Sequence, residues 1–145
     1  MTYSVAPFLK MTQAELDALF TASEAGPIPT GQANGTAIIA PGTVYSAEIA
    51  TFISHFAWQG KVFDPTTGHL KNRISPFGLN AIVADVYKGP SWLDQKECIV
   101  LDYSKTSLLA KWVRDEIRQV GPRTYLGIVY WQKTKTIDFA LEFPK

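Results

Sequence analysis

The side chains equipped for chemistry are few in this chain and widely spaced. His55 borders an apolar stripe and is the natural proton carrier near neutral pH, because an imidazole titrates there. Asp102 lies between Leu101 and Tyr103 in an otherwise apolar run, where a carboxylate has to be paired, hydrogen-bonded or shifted in pKa. The expected catalytic residues are His55, Asp102 and Tyr103, with His55 or Asp102 as the acid–base group and the Tyr103 phenol or Lys61 as electrophilic partner. Asp85, within Val83-Ala84-Asp85-Val86-Tyr87, raises the same question more weakly. The bland alternatives are a structural histidine and an end-of-strand aspartate ahead of the turn-like Ser104-Lys105-Thr106.

Lys61 stands in Gly60-Lys61-Val62-Phe63-Asp64. Inside a fold its ammonium would need an acid or a ligand carboxylate. Alternation sets it opposite Val62 and on the same face as Phe63, which leaves its direction open. The aromatic residues (8 Phe, 6 Tyr and 4 Trp) must line a core or a cavity. Trp58, Lys61, Phe63, Tyr87, Tyr125 and Trp131 are therefore the expected ligand-binding residues. Arg118 joins them if Arg114, Glu116 and Arg118 line the inward face of a strand and receive an anionic head group. On a helix the same cluster is a solvated set of ion pairs.

Other chemistries find no support. His55 and His69 are far apart and neither has a carboxylate at helical spacing, so no metal site is expected. Cys98 is alone, which rules out an internal disulfide or a cysteine cluster, and its apolar run suits a small buried hydrophobe. Nucleophile-elbow, P-loop and dinucleotide fingerprints are missing, and no cofactor is expected. A net charge of +1, from 14 basic and 13 acidic residues, gives no electrostatic reason to expect nucleic acid. No apolar run reaches the roughly 20 residues of a membrane span. Met1 to Pro7 lacks the pattern of a signal peptide, so a cytoplasmic location is expected.

These residues need elements to hold them. At 145 residues and 46% hydrophobic, the chain suits one domain with its own core. Thr12-Gln13-Ala14-Glu15 is a capping box that opens a first helix carrying Leu16, Leu19 and Phe20. Gly26 to Gly35 is too rich in Gly and Pro for regular structure and is expected to be a surface loop. Thr36 to Ala40 is a short strand. A second helix starts at Ser46, with Ile49, Phe52, Ile53 and Phe56 on one face, and breaks off at Trp58-Gln59-Gly60.

From there the period shifts towards two. Lys61–Asp64 and His69–Ile74 flank the turn Pro65-Thr66-Thr67-Gly68. Asn80 to Tyr87, Glu97 to Tyr103 and Tyr125 to Trp131 are apolar strands. Ile137, Phe139, Leu141 and Phe143 alternate with polar or small residues, as in a strand buried on one face. Thr106 to Val120 fits a helix ending at Gly121-Pro122, which the pattern favours; a strand from Trp112 to Val120 is the alternative.

The sum is a mainly β protein: one antiparallel barrel of seven to eight strands with two or three accessory helices. Residues 1–58 would form a helical and loop part capping the barrel, and 59–145 its hairpins.

Trp58-Gln59-Gly60-Lys61-Val62-Phe63-Asp64 resembles the W-x-G-K-x-F segment of small lipocalin-like barrel proteins with paired GXWXG and DUF4334 domains. Tyr125-Leu126-Gly127-Ile128-Val129 is similar to that family's V-L-G-V-M strand, and Cys98 to Tyr103 to its M-I-Y-D strand. Gly31 to Gly35 lacks the Trp of the element that names the first domain. The resemblance implies a lipocalin-like barrel with a pocket and supplies no reaction. The expected function is binding of a small apolar or amphipathic molecule in the barrel. The alternatives are a cofactor-free lyase, isomerase or cyclase in the same cavity, and an interaction module using Trp92. Self-association into a homo-oligomer stays open.

Overall fold

The computed structural model describes residues 6–38, 57–75, 79–105 and 112–144; the side chains of Ala6, Leu9, Ala37 and residues 57–60 and 72–82 are outside the described residues. A 3-10 helix, Ala6–Lys10, leads into α1, Gln13–Ala22. The strands follow: β1 Gly31–Ile38, β2 Ala57–Asp64, β3 His69–Ser75, β4 Leu79–Pro90, β5 Glu97–Asp102, β6 Val113–Gly121, β7 Thr124–Trp131 and β8 Thr134–Glu142. Each pairs antiparallel with the next, and β8 pairs with β1, closing an eight-stranded barrel in sequence order. Closure satisfies every strand edge internally.

Local chemistry explains most boundaries. The Thr12 side chain accepts from the Glu15 amide while the Glu15 carboxylate accepts from the Thr12 amide, so the capping box is fully formed. Gly68, at φ +71°, completes the β2–β3 turn, where positive φ costs glycine little. The two-residue β7–β8 turn, Gln132-Lys133, holds positive φ at both positions, the hand that suits twisted hairpins.

Three expectations need correction. The glycine-rich stretch from Gly31 is not a loop: β1 begins there and completes the barrel. The barrel therefore draws on residues ahead of position 59. Residues 113–120 of the segment favoured as a helix belong to β6, because their apolar spacing serves both periods and two flanking strands offer them ladders. The strand after Gly60 starts earlier, at Ala57, and Gln59 is an extra residue bulged out between Trp58 and Gly60. The helix expected from Ser46 lies outside the described residues, so α1 is the single α-helix among those described.

Two apolar layers result. Inside the barrel, Phe63, Leu70, Ile99, Leu101, Tyr103, Ile117, Tyr125, Phe139 and Leu141 pack together. On the outer face of β5, β7 and β8, Cys98, Val100, Leu126, Ile128 and Ala140 are covered by Phe8, Leu16 and Phe20. This is why β8, alternating in sequence, is buried on both faces from Thr136 to Leu141.

Inside, Gly127 faces Phe139 across the β7–β8 ladder, and a Cβ on Gly127 would lie 2.2 Å from that ring. Outside, the Asp138 carboxylate is buried under α1. Its Oδ2 accepts from Gln13, while Oδ1 has no partner among the described residues. Burial pushes its pKa up to about 6, against the opposing pull of Lys135 and Gln13, with Asp17 adding repulsion. Asp17 itself pairs with Lys135.

Gly127→Ala should cost about 2–3 kcal/mol through overpacking and lower Tm by roughly 5–10 °C. In a Phe139→Ala background the same change should be close to neutral, a coupling that thermal denaturation of all four chains measures. For Asp138 the folded pKa is raised, so its contribution is fully present below pH 4 and is lost as pH rises through about 6. The swing is at most roughly 3 kcal/mol. Asp138→Asn should flatten that part of the stability–pH curve, and superimposable curves for the two proteins would refute the assignment.

Candidate functional site

Three titratable side chains meet inside the barrel. Lys61 comes from β2, Asp115 from β6, and Tyr103 from the residue after β5. Lys61 Nζ donates to the Tyr103 hydroxyl at 2.7 Å and lies 3.1 Å from Asp115 Oδ2. The Tyr103 hydroxyl donates to the same Oδ2 at 3.1 Å. All three are at most 3% exposed. In an eight-stranded closed ring β2 and β6 stand four strands apart in either direction, so the Lys61–Asp115 pair crosses the bore.

Their surroundings are apolar and aromatic. Nζ lies 5.5 Å from the centre of the Tyr103 ring and 5.2 Å from that of Phe139, both favourable faces for a cation. Val113 and Ile117 flank Asp115 on the interior side of β6. Oδ2 is fully engaged, whereas the buried Oδ1 has no hydrogen-bond partner among the described residues.

Burial dominates the titration of both charged groups. It lowers the Lys61 pKa against the opposing charge and hydrogen bond of Asp115. It raises the Asp115 pKa against Lys61 and the Tyr103 hydrogen bond. The two shifts converge, so a proton on Nζ and one on the carboxylate lie closer in energy than they would in water.

The end of the bore marked by the β2–β3 turn is plugged. Phe63, Tyr125 and Phe143 pack ring against ring at 5.7–5.8 Å. Ala25 reaches into the interior cluster, and the Tyr125 hydroxyl donates to the Pro27 carbonyl. Outside this plug lies a shallow cleft of about 240 Å³, bordered by Ile28, Pro29, Phe63, His69 and Val86. His69 places Nε2 2.8 Å from Asp85 Oδ1 at that mouth.

The remaining expected site residues are dispersed. Asp102 shares a strand face with Cys98 and Val100. That face is the outer one, covered further along by α1. There Asp102 accepts from Tyr87 and from Ser104; burial works to raise its pKa, but those hydrogen bonds hold it below the usual value. Tyr87 is largely exposed, and Trp131 is half-buried at the end of β7. His55 and the side chain of Trp58 lie outside the described residues.

Arg118 does lie on a strand face with Arg114 and Glu116, but that face is outward. It is fully buried, forks onto both oxygens of Asp94 at 2.7 Å, and donates to the carbonyls of Phe20, Lys96 and Glu97. The fork holds the Asp94 carboxyl down at about 2. Both terminal guanidinium nitrogens fasten α1 and the β4–β5 turn to the barrel, and Nε holds the first residue of β5. Glu116 works alongside it, accepting from Ser91, the Trp92 amide and Arg114. Trp92 is partly exposed and stacks on the Arg114 guanidinium at 4.3 Å.

Asp115 was absent from the expected site. The signal was available: on a strand it shares a face with Val113 and Ile117, an acid alone in an apolar row. Reading the segment as a helix hid that row. Among the described residues no group of His, Cys, Asp or Glu is arranged to hold a metal ion.

No known family model matches the chain, and comparison with curated proteins found no match. Among solved structures, a protein from Thermomonospora curvata is similar, with a TM-score of 0.68 over 97% of this chain and 94% of that one. The two are 16% identical, so the likeness establishes the fold and the fold alone.

Proposed function

We propose that this protein binds a small, largely apolar molecule inside the barrel, with Lys61, Tyr103 and Asp115 as the polar anchor. The reading rests on the buried Lys61–Asp115 pair. Moving two charges out of water costs several kcal/mol each, and an apolar pair of similar size is often as stable or more so. A pair held in the bore among Phe139, Leu101 and Ile117 is therefore poor structural economy and good ligand chemistry. Phe63 and Tyr125, both expected ligand-binding residues, stand on the same interior surface, though on the plugged side. The resemblance of Trp58 to Asp64 to lipocalin-like barrels supports the same kind of pocket.

The convergent proton affinities of Lys61 and Asp115 favour a second reading, a cofactor-free lyase, isomerase or cyclase. In that case Asp115 and Lys61 would exchange a proton with the bound molecule, and the Tyr103 phenol would steady the developing negative charge.

One variant separates function from stability. Lys61→Met/Asp115→Leu removes both charges together and should melt at or above the parent's temperature. Native mass spectrometry of the parent from its natural host should show a co-purified small molecule, retained at least tenfold less by the double variant. A parent that carries nothing, or a variant that keeps the molecule in full, would overturn the binding role.

A further inference from the structure

We infer that the bound molecule is neutral at its polar end and presents a hydrogen-bond donor, a hydroxyl in the simplest case, to Oδ1 of Asp115. The inference rests on the binding reading above and adds the class of ligand. It starts from valence: an ionised carboxylate offers about four acceptor positions and no donor. Oδ2 of Asp115 receives both Lys61 and Tyr103. Oδ1, on the same buried group, has no partner among the described residues. Val113, Ile117 and Leu101 around it are apolar and have no side-chain donor to give. A buried acceptor without a donor is costly, and a ligand hydroxyl removes that cost on binding.

Charge decides against the obvious competitor. A buried lysine suggests a ligand carboxylate, but Lys61 already has its counter-charge 3.1 Å away in Asp115. A carboxylate brought to this site would meet a neutralised lysine and an aspartate oxygen of its own sign, with Glu116 on the next residue adding to the repulsion. An ether or ketone fits no better, since it brings a second acceptor to an acceptor. An alcohol or phenol with an apolar body satisfies both the oxygen and the walls. A donor to a charged acceptor in a dry site should yield roughly 10–100-fold in affinity.

The test is a matched series measured by calorimetry and native mass spectrometry at pH 8: n-alkanols from butanol to dodecanol, their methyl ethers, and the corresponding carboxylates. The alkanol should bind at least about tenfold more tightly than the ether and the carboxylate of equal length. In Lys61→Met/Asp115→Leu, alkanol and ether should bind within about twofold of each other; this variant keeps the test sound if Asp115→Asn alone fails to fold. Ether or carboxylate binding as tightly as alkanol would overturn the donor assignment and leave the pocket standing. If no member of the series binds and no molecule co-purifies, the pocket itself is refuted.

Discussion

The ammonium of Lys61 and the carboxylate of Asp115 reach each other from opposite staves of the barrel, and the layout of the interior is organised around that contact. On one side of it the bore is closed by aromatic rings and by the segment that leads into β1. On the other side β1, β3 and β5 end. A charged pair in such a place is tolerated only when each member supplies the other's field, because both are buried. Tyr103 adds a neutral hydroxyl that bridges both.

The outer face follows a different logic. Arg118 and Glu116 are as deeply buried as the interior pair, yet their hydrogen-bonding positions are filled by neighbouring backbone and side chains. They fasten the first helix and the β4–β5 turn, and their chemistry is exhausted by that task. The contrast distinguishes a structural network from a site: around Arg118 and Glu116 every position is filled, whereas in the bore one oxygen of Asp115 has no partner among the described residues.

How much of this could be read from the sequence depended on parity. The capping box, the β2–β3 turn and the alternation of β8 are local signals, and they led to α1, to the hairpin and to the closed barrel. Side-chain direction was another matter. The bulge at Gln59 breaks the two-residue alternation, so no count from Trp58 could tell which way Lys61 points. The face of Asp102 stayed open because Cys98 and Val100 are apolar for a reason invisible locally: a helix some eighty positions earlier covers the outside of their strand. Asp115 was lost when apolar residues compatible with both periods were given to the wrong one.

Ring closure carries a consequence for how the chain reaches this state. Ile38 pairs with Asp138. That ladder cannot form until nearly the whole sequence has been made and the intervening hairpins have assembled. Non-local pairing of this kind belongs to domains that fold in milliseconds to seconds. Until it occurs, β1 and β8 are open sheet edges, templates for a neighbouring molecule. The finished barrel has no such edge, so its hazard of aggregation is confined to the time before the last seam closes.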